Sequence, residues 1–367
     1  MDFTKLSAYL HNLKDTNGVP AYDMTVRVGR ETVFQQREAC RENGLYWYYS
    51  ATKLFTATAG CRLLERGLIH LEDPVSRYLP EYAHLHVREQ DGSLRPAKRE
   101  PTIQNLFSMC GGLTYDIFSK EITGATDRTT LGIVREIAKM PLCADPGEMY
   151  MYSLCHDVLA GVVEAVTGVR YAAYIQNEIA GPLGMADMSF HPSPAQKARL
   201  EQQYHWEGRR KGAAPCEGSN KFEFSPDYDS GGAGLCGPAR DYILLPEALA
   251  CGGLGRDGYP LLKQETIDLM RRNQLTPGQT VSFQQRWARL GSYGYGLGVR
   301  TRVDHRDGGL SPVGEFGWDG AAGAYCIADP ENKVSVLYAQ HVLDMGPIYE
   351  DVHPKLRDLV YEGLRDE

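Results

Sequence analysis

The chain has 367 residues, a formal net charge of −8 and an apolar fraction of 43%. That length exceeds what one small core needs, so two structural regions sharing one site are expected. The acidic balance and the lack of any Lys/Arg-rich run argue against a nucleic-acid partner. No stretch approaches the roughly 20 apolar residues that span a bilayer, so no membrane partner is expected either.

Phe3, Leu6, Leu10 and Leu13 recur at helical spacing, which predicts an amphipathic first helix and not the continuous apolar core of a secretory signal. The nine cysteines are an odd number with no C-x-x-C pair. They read as reduced thiols in a cytoplasmic protein. Residues 22–28 (YDMTVRV) and 32–38 (TVFQQRE) predict two strands of a hairpin around Gly29-Arg30. The aromatic run Tyr46-Trp47-Tyr48-Tyr49 leads into Ser50, and a helix is expected from Ala51 to Arg66, closed by Gly67.

From about 70 to 280 the pattern is mostly helical. One helix is expected over 156–166 and another over 238–250, opened by Pro238 at its first turn. Residues 201–232 are polar and turn-rich, a surface loop or a rim over a site. Strand patterns return in YGYGLGVR (293–300), GAYCIAD (323–329) and KVSVLYAQH (333–341), and an amphipathic helix near 354–364 closes the chain. Strands at both ends with helices between predict an α+β fold. An antiparallel sheet built from both chain ends, 1–70 and 285–367, carries a mostly helical insertion over 71–284.

Ser50-Ala51-Thr52-Lys53 is an S-x-x-K sequence at a helix start. The i, i+3 spacing places hydroxyl and amine on one face. The positive end of the helix disfavours an ammonium there, which would help Lys53 act as a neutral base for a serine that is a poor nucleophile alone. A capping serine followed by a surface lysine gives the same four letters. No G-x-S-x-G, G-x-G-x-x-G or phosphate-binding loop competes. His84-Leu85-His86 lacks a third ligand nearby, so neither a metal nor another cofactor is expected.

Downstream stand LLERGLIHLEDPVSRYLPEY (63–82), LFSMCGGLTYD (106–116), DPGEMYMYS (145–153) and GPLGM (181–185). In that order they resemble the serine β-lactamase-like family, the branch of class C β-lactamases, penicillin-binding proteins and related esterases. The resemblance implies a β-lactamase/transpeptidase-like fold and an acyl-enzyme on Ser50. It makes Tyr152 of Tyr152-Ser153-Leu154 the proton relay between Ser50 and the leaving group, although a core tyrosine reads the same way. It also places Trp318-Asp319-Gly320-Ala321 where the family carries K-T-G or H-x-G. The W-x-G form is that of the esterase branch, and the Ala321 and Ser50 amides would form the oxyanion hole.

Two departures bear on substrate. Leu154 replaces an asparagine that would hydrogen-bond substrate, and Trp318-Asp319 replaces residues that receive a carboxylate. An aspartate facing the cleft would repel an anion. Leu154, Trp318, Asp319 and Gly320 are therefore expected to shape a site for a small neutral ester. A β-lactamase or D-Ala-D-Ala carboxypeptidase would instead need a cation elsewhere in the cleft, Arg300 or Arg302. A non-catalytic binding or sensor protein on the same scaffold is the third reading, and Leu154 is the residue that supports it.

Overall fold

The computed structural model describes residues 1–365. Its sheet joins the two chain ends as expected. Strands β1 (Tyr22–Val28) and β2 (Glu31–Glu38) form the first hairpin, with Gly29 at φ +58° in its turn. Later segments add β3 (Tyr293–Tyr295), β4 (Arg300–Arg302), β5 (Phe316–Gly317), β6 (Tyr325–Asp329) and β7 (Val334–Ala339). The seven-stranded order is β2-β1-β7-β6-β5-β4-β3, with antiparallel pairing throughout. Asp23 opposes Ala339 and Val26 opposes Val336, so the N-terminal strand zips onto the C-terminal one.

The two-residue period of a strand sorts side chains into separate cores. Tyr325, Ile327, Val334, Val336 and Tyr338 point to one face. There they meet Leu6 and Leu10 of helix α1 (Thr4–His11) and Leu356 and Val360 of the closing helix His353–Arg365. Cys326, Ala328, Leu337 and Ala339 point the other way, into the large core shared with the helical region.

Helix α2 (Lys53–Glu65) runs through that core and is buried from Lys53 to Leu63. The sequence suggests one apolar face, but the helix is enclosed on every side. Small residues permit this: a Cβ on Gly60 would sit 2.5 Å from the Phe107 ring, leaving no room for anything larger than glycine. Against it packs helix α3 (Cys155–Thr167), which ends at Gly168 with φ +67°.

Four local expectations change. The helix after Ser50 begins at Lys53, preceded by a tight turn over Tyr49–Thr52. Residues 238–250 split into Ala239–Tyr242 and Leu244–Ala250, and Pro238 is extended because it pairs with Leu45 instead of opening a helix. The pattern 293–300 folds into a strand and the start of the next, with Gly298 at φ +80° between them. Segment 201–232 is more than a loop: Gln203–Trp206 and Ala213–Cys216 form a hairpin that pairs in parallel with Val342–Leu343. Among the described residues, no single helix is long and apolar enough to cross a membrane.

Three histidines are buried, and burial chiefly pushes them down, His156 to about 3 and His341 and His353 to about 4. Unfolded, each takes a proton near pH 6.5, so the folded state loses ground as the pH falls below that value. Unfolding free energy should therefore drop between pH 6.5 and 5 by about 2 kcal/mol for each histidine. Urea titrations across that range measure it, and a flat profile refutes the buried neutral imidazoles.

Candidate active site

The turn that carries Ser50 is unusual in its backbone. Tyr49, immediately before the serine, has φ +45°, a conformation that a bulky residue adopts only when its surroundings hold it. Here the surroundings are explicit. The Tyr49 hydroxyl donates to Ser219 O at 2.8 Å and accepts from Gln203 Nε2 at 2.6 Å. His341 Nδ1 in turn lies 3.0 Å from Glu201 O, while its Nε2 faces Gln203 Nε2 at 3.2 Å.

Lys53 Nζ lies 3.3 Å from Ser50 Oγ and donates to Gly232 O at 2.8 Å. Three residues make one turn of the tight helix that starts here, which stacks the two side chains. The Lys53 amine is also 4.7 Å from the centre of the Tyr152 ring and 5.6 Å from that of Tyr115. Burial alone presses this amine toward its neutral form. The oxygens of Tyr115 and Tyr152, with the Asp157 carboxylate behind them, outweigh burial and hold the ammonium, so its pKa is raised. These neighbours favour the ammonium over the neutral base that the helix position alone suggests.

Gly232 is placed by Asp157, in the first turn of α3. Its Oδ1 accepts from Tyr228 Oη at 2.7 Å, Ser230 Oγ at 2.6 Å and Gly232 N at 3.2 Å. A Cβ at Gly232 would collide with that carboxylate, which is why a glycine presents its carbonyl to Lys53.

Tyr152 closes the third side. Its hydroxyl accepts from Trp318 Nε1 at 3.3 Å, and its ring stacks on Trp318 at 5.7 Å and on Tyr115 at 5.3 Å. Ser50, Tyr152, Trp318, Asp319, Gly320 and Ala321 all line one cavity of about 420 Å³. Among the described residues, neither the Ser50 nor the Ala321 amide donates to a protein acceptor. Two unsatisfied N–H groups beside a serine hydroxyl are what a developing oxyanion needs.

Leu154 does not join them. It is 1% exposed and packs in the large core at the start of α3, so its replacement of an asparagine takes a polar group out of the interior and adds no wall to the cavity. Asp319 also departs from expectation. Its Oδ1 is paired with Arg300 at 2.9 Å and its Oδ2 with Arg289 at 3.0 Å, so both oxygens are occupied and its pKa is lowered despite its burial. The repulsion expected of a bare carboxylate is cancelled. Arg300 and Arg302 do not reach the cavity: Arg300 holds Asp319, Glu315 and Cys326 O, and Arg302 pairs with Asp307.

Tyr115, Trp287, Arg289, Phe222 and Tyr349 also line the cavity, and no motif in the sequence marks them as site residues. Tyr115 stands in the quoted LFSMCGGLTYD, and its phenol reaches the Ser50 hydroxyl. Burial raises its pKa, and Lys53 opposes that rise. Of the aromatic run, only Tyr49 lines the cavity; Tyr46, Trp47 and Tyr48 are buried behind it. From segment 201–232, Ser219, Lys221 and Phe222 form part of the rim.

A family model described as Beta-lactamase matches residues 6–351. The chain belongs to the β-lactamase family. It is 30% identical to Esterase EstB of Burkholderia gladioli over 88% of this chain and 83% of that protein. It is 28% identical to Protein Rv1367c of Mycobacterium tuberculosis over 82% of this chain and 79% of that one. The solved structure of EstCE1, described as a hydrolase with promiscuous acyltransferase activity, shares the fold, with a TM-score of 0.79, 22% identity and 98% of each chain covered. The β-lactamase/transpeptidase-like architecture is therefore established. The family includes esterases and acyltransferases, which makes this chain a member of a hydrolase fold family.

Replacing Arg300 with Met would leave Glu315 without a cation among the described residues and Asp319 with Arg289 alone, both carboxylates 5% exposed or less. Removing one partner of a buried ion pair costs about 3–5 kcal/mol, so Arg300→Met should lower the unfolding free energy by that amount in urea titrations. Unchanged stability overturns the assignment of Arg300 as the counter-charge.

Proposed function

We propose that the protein is a serine esterase working through an acyl-Ser50 intermediate, with small esters as substrates. The observation that carries this reading is the meeting of Ser50 Oγ with the Lys53 amine at 3.3 Å, in a cavity that also holds the Tyr152 hydroxyl. The likeness to Esterase EstB supports it.

In the acylation step Ser50 Oγ bonds to the ester carbonyl carbon, and its proton passes to the phenolate form of Tyr152, held beside the Lys53 ammonium. The carbonyl oxygen takes up the charge facing the Ser50 and Ala321 amides. Collapse breaks the bond to the alcohol oxygen, which leaves with a proton returned through Tyr152. Water then attacks the acyl-serine by the same path in reverse. The Lys53 ammonium lowers the cost of negative charge on each oxygen around it. Tyr115 is a second phenol at the serine and shares that duty.

The walls favour an apolar acyl or alcohol part, since Trp287, Trp318, Phe222 and Tyr49 line the cavity. A penicillin carries its carboxylate on the carbon bonded to the reacting nitrogen, and Trp318-Asp319 stand where the family places the residues that receive it.

Fluorophosphonate treatment followed by mass spectrometry should give an adduct on Ser50 that Ser50→Ala abolishes. Lys53→Ala and Tyr152→Phe should each slow p-nitrophenyl ester hydrolysis by at least about 100-fold. No adduct on folded protein would favour a binding or sensor role. In a parallel assay, short p-nitrophenyl esters should turn over faster than nitrocefin; the opposite order points to a β-lactamase and ends the ester reading.

A further inference from the structure

The cavity also holds a guanidinium that acyl transfer does not use. Arg289 lies in the short turn Ala288–Leu290 just ahead of β3 and lines the same space as Ser50. Its side chain is 18% exposed. Two aromatic rings hold it in place, Trp287 at 5.4 Å and Tyr349 at 5.0 Å from its central carbon. Such packing fixes the direction of a planar fork and strips much of its hydration.

An arginine carries five N–H donors. Among the described residues, only Asp319 Oδ2 accepts from Arg289, at 3.0 Å, which leaves most of the fork unused. That one carboxylate is shared, because its other oxygen is held by Arg300 at 2.9 Å. Arg300 is enclosed by Glu315 and Cys326 O outside the cavity wall, so the unspent hydrogen-bonding capacity of the cluster lies on Arg289. Lys221 adds a second cation to the lining, and its ammonium rests over the Phe222 ring at 5.8 Å. The opposing charges in the lining are Asp319, already shared between the two arginines, and Asp344, 71% exposed and paired with His205 at 3.0 Å.

We propose that Arg289 anchors a carboxylate carried by the substrate at a distance from the scissile bond, so that half-esters of dicarboxylic acids or esters of hydroxy-acids are preferred over their uncharged counterparts. This rests on the acyl-Ser50 reading and narrows its substrate class. The unused edge of the fork can donate to two carboxylate oxygens side by side. An uncharged ester still reacts, because nothing in the proton path passes through Arg289.

The test compares two matched pairs of substrates. In one the acid sits on the acyl part (4-nitrophenyl hydrogen succinate against 4-nitrophenyl butyrate). In the other it sits on the alcohol part (4-acetoxybenzoate against phenyl acetate). A charge-assisted hydrogen bond should make kcat/KM for at least one acid about tenfold higher than for its partner, mainly through KM. Arg289→Gln should erase that ratio, and Arg289→Lys should restore part of it. The pair that responds tells which end of the ester faces the arginine. Equal values within both pairs, or a ratio that survives Arg289→Gln, overturns the anchor. Both variants keep Asp319 paired with Arg300, and a fluorophosphonate adduct on Ser50 reports separately on the nucleophile. An adduct without any acid preference sinks the anchor alone, whereas no adduct on the wild-type protein sinks the acyl-serine reading itself.

Discussion

The arrangement of the site follows from one buried charge. Lys53 is 0% exposed, and an ammonium so enclosed is tolerable only when every direction around it offers compensation. Gly232 O and Ser50 Oγ supply it by hydrogen bonds, and the Tyr152 and Tyr115 rings by their π faces. Each of these partners must itself be fixed. The 228–232 turn is tied to Asp157, and Tyr152 is clamped by Trp318 and Tyr115. A residue that must be solvated by protein thus organises three distant segments around itself, and the serine is one of its ligands.

A second knot stabilises the opposite wall. Asp319 is gripped by two arginines from different elements, which pins the 318–321 segment beside the serine turn. Gly320 passes so close to Tyr48 O that a side chain there would collide with it, and its amide donates to Ala324 O at 2.8 Å. The Ser50 and Ala321 amides, proposed to receive the oxyanion, therefore belong to two rigid pieces, a left-handed turn at Tyr49 and a strand end locked by ions. Fixed dipoles aimed at a developing charge need no reorganisation when the charge appears.

Much of this was legible in the sequence where local rules apply. The β1–β2 hairpin, the two C-terminal strands of the sheet and the closing helix follow from period and turn residues. The S-x-x-K spacing also placed Ser50 and Lys53 together, since both lie within one turn. What escaped was set by tertiary contact. The protonation of Lys53 depends on two phenols from residues 115 and 152, and no property of its own helix reports them. Asp319 read as a bare negative charge because its partners stand 30 and 19 residues earlier in the chain. Leu154 read as a cleft residue because a motif fixes sequence position, and the packing of α3 against α2 decides which way it faces. Arg289 lies in no periodic element at all, so only the folded chain shows it beside the serine.

The same geometry separates two kinds of constraint. The proton-handling groups come from the buried heart of the molecule, α2, the start of α3 and the 228–232 turn, where a change in volume of one methylene is felt throughout the packing. The outer walls come from Ser219–Phe222, Trp287–Arg289 and residues of Leu343–Tyr349, short segments around the cavity. Substitution there alters which ester fits without disturbing the ammonium or its ligands. On the proposed reading, a scaffold built this way exchanges substrates while its chemistry stays the same, because Lys53, which organises the serine and the tyrosines, and Arg289, which would select the substrate, sit on different elements.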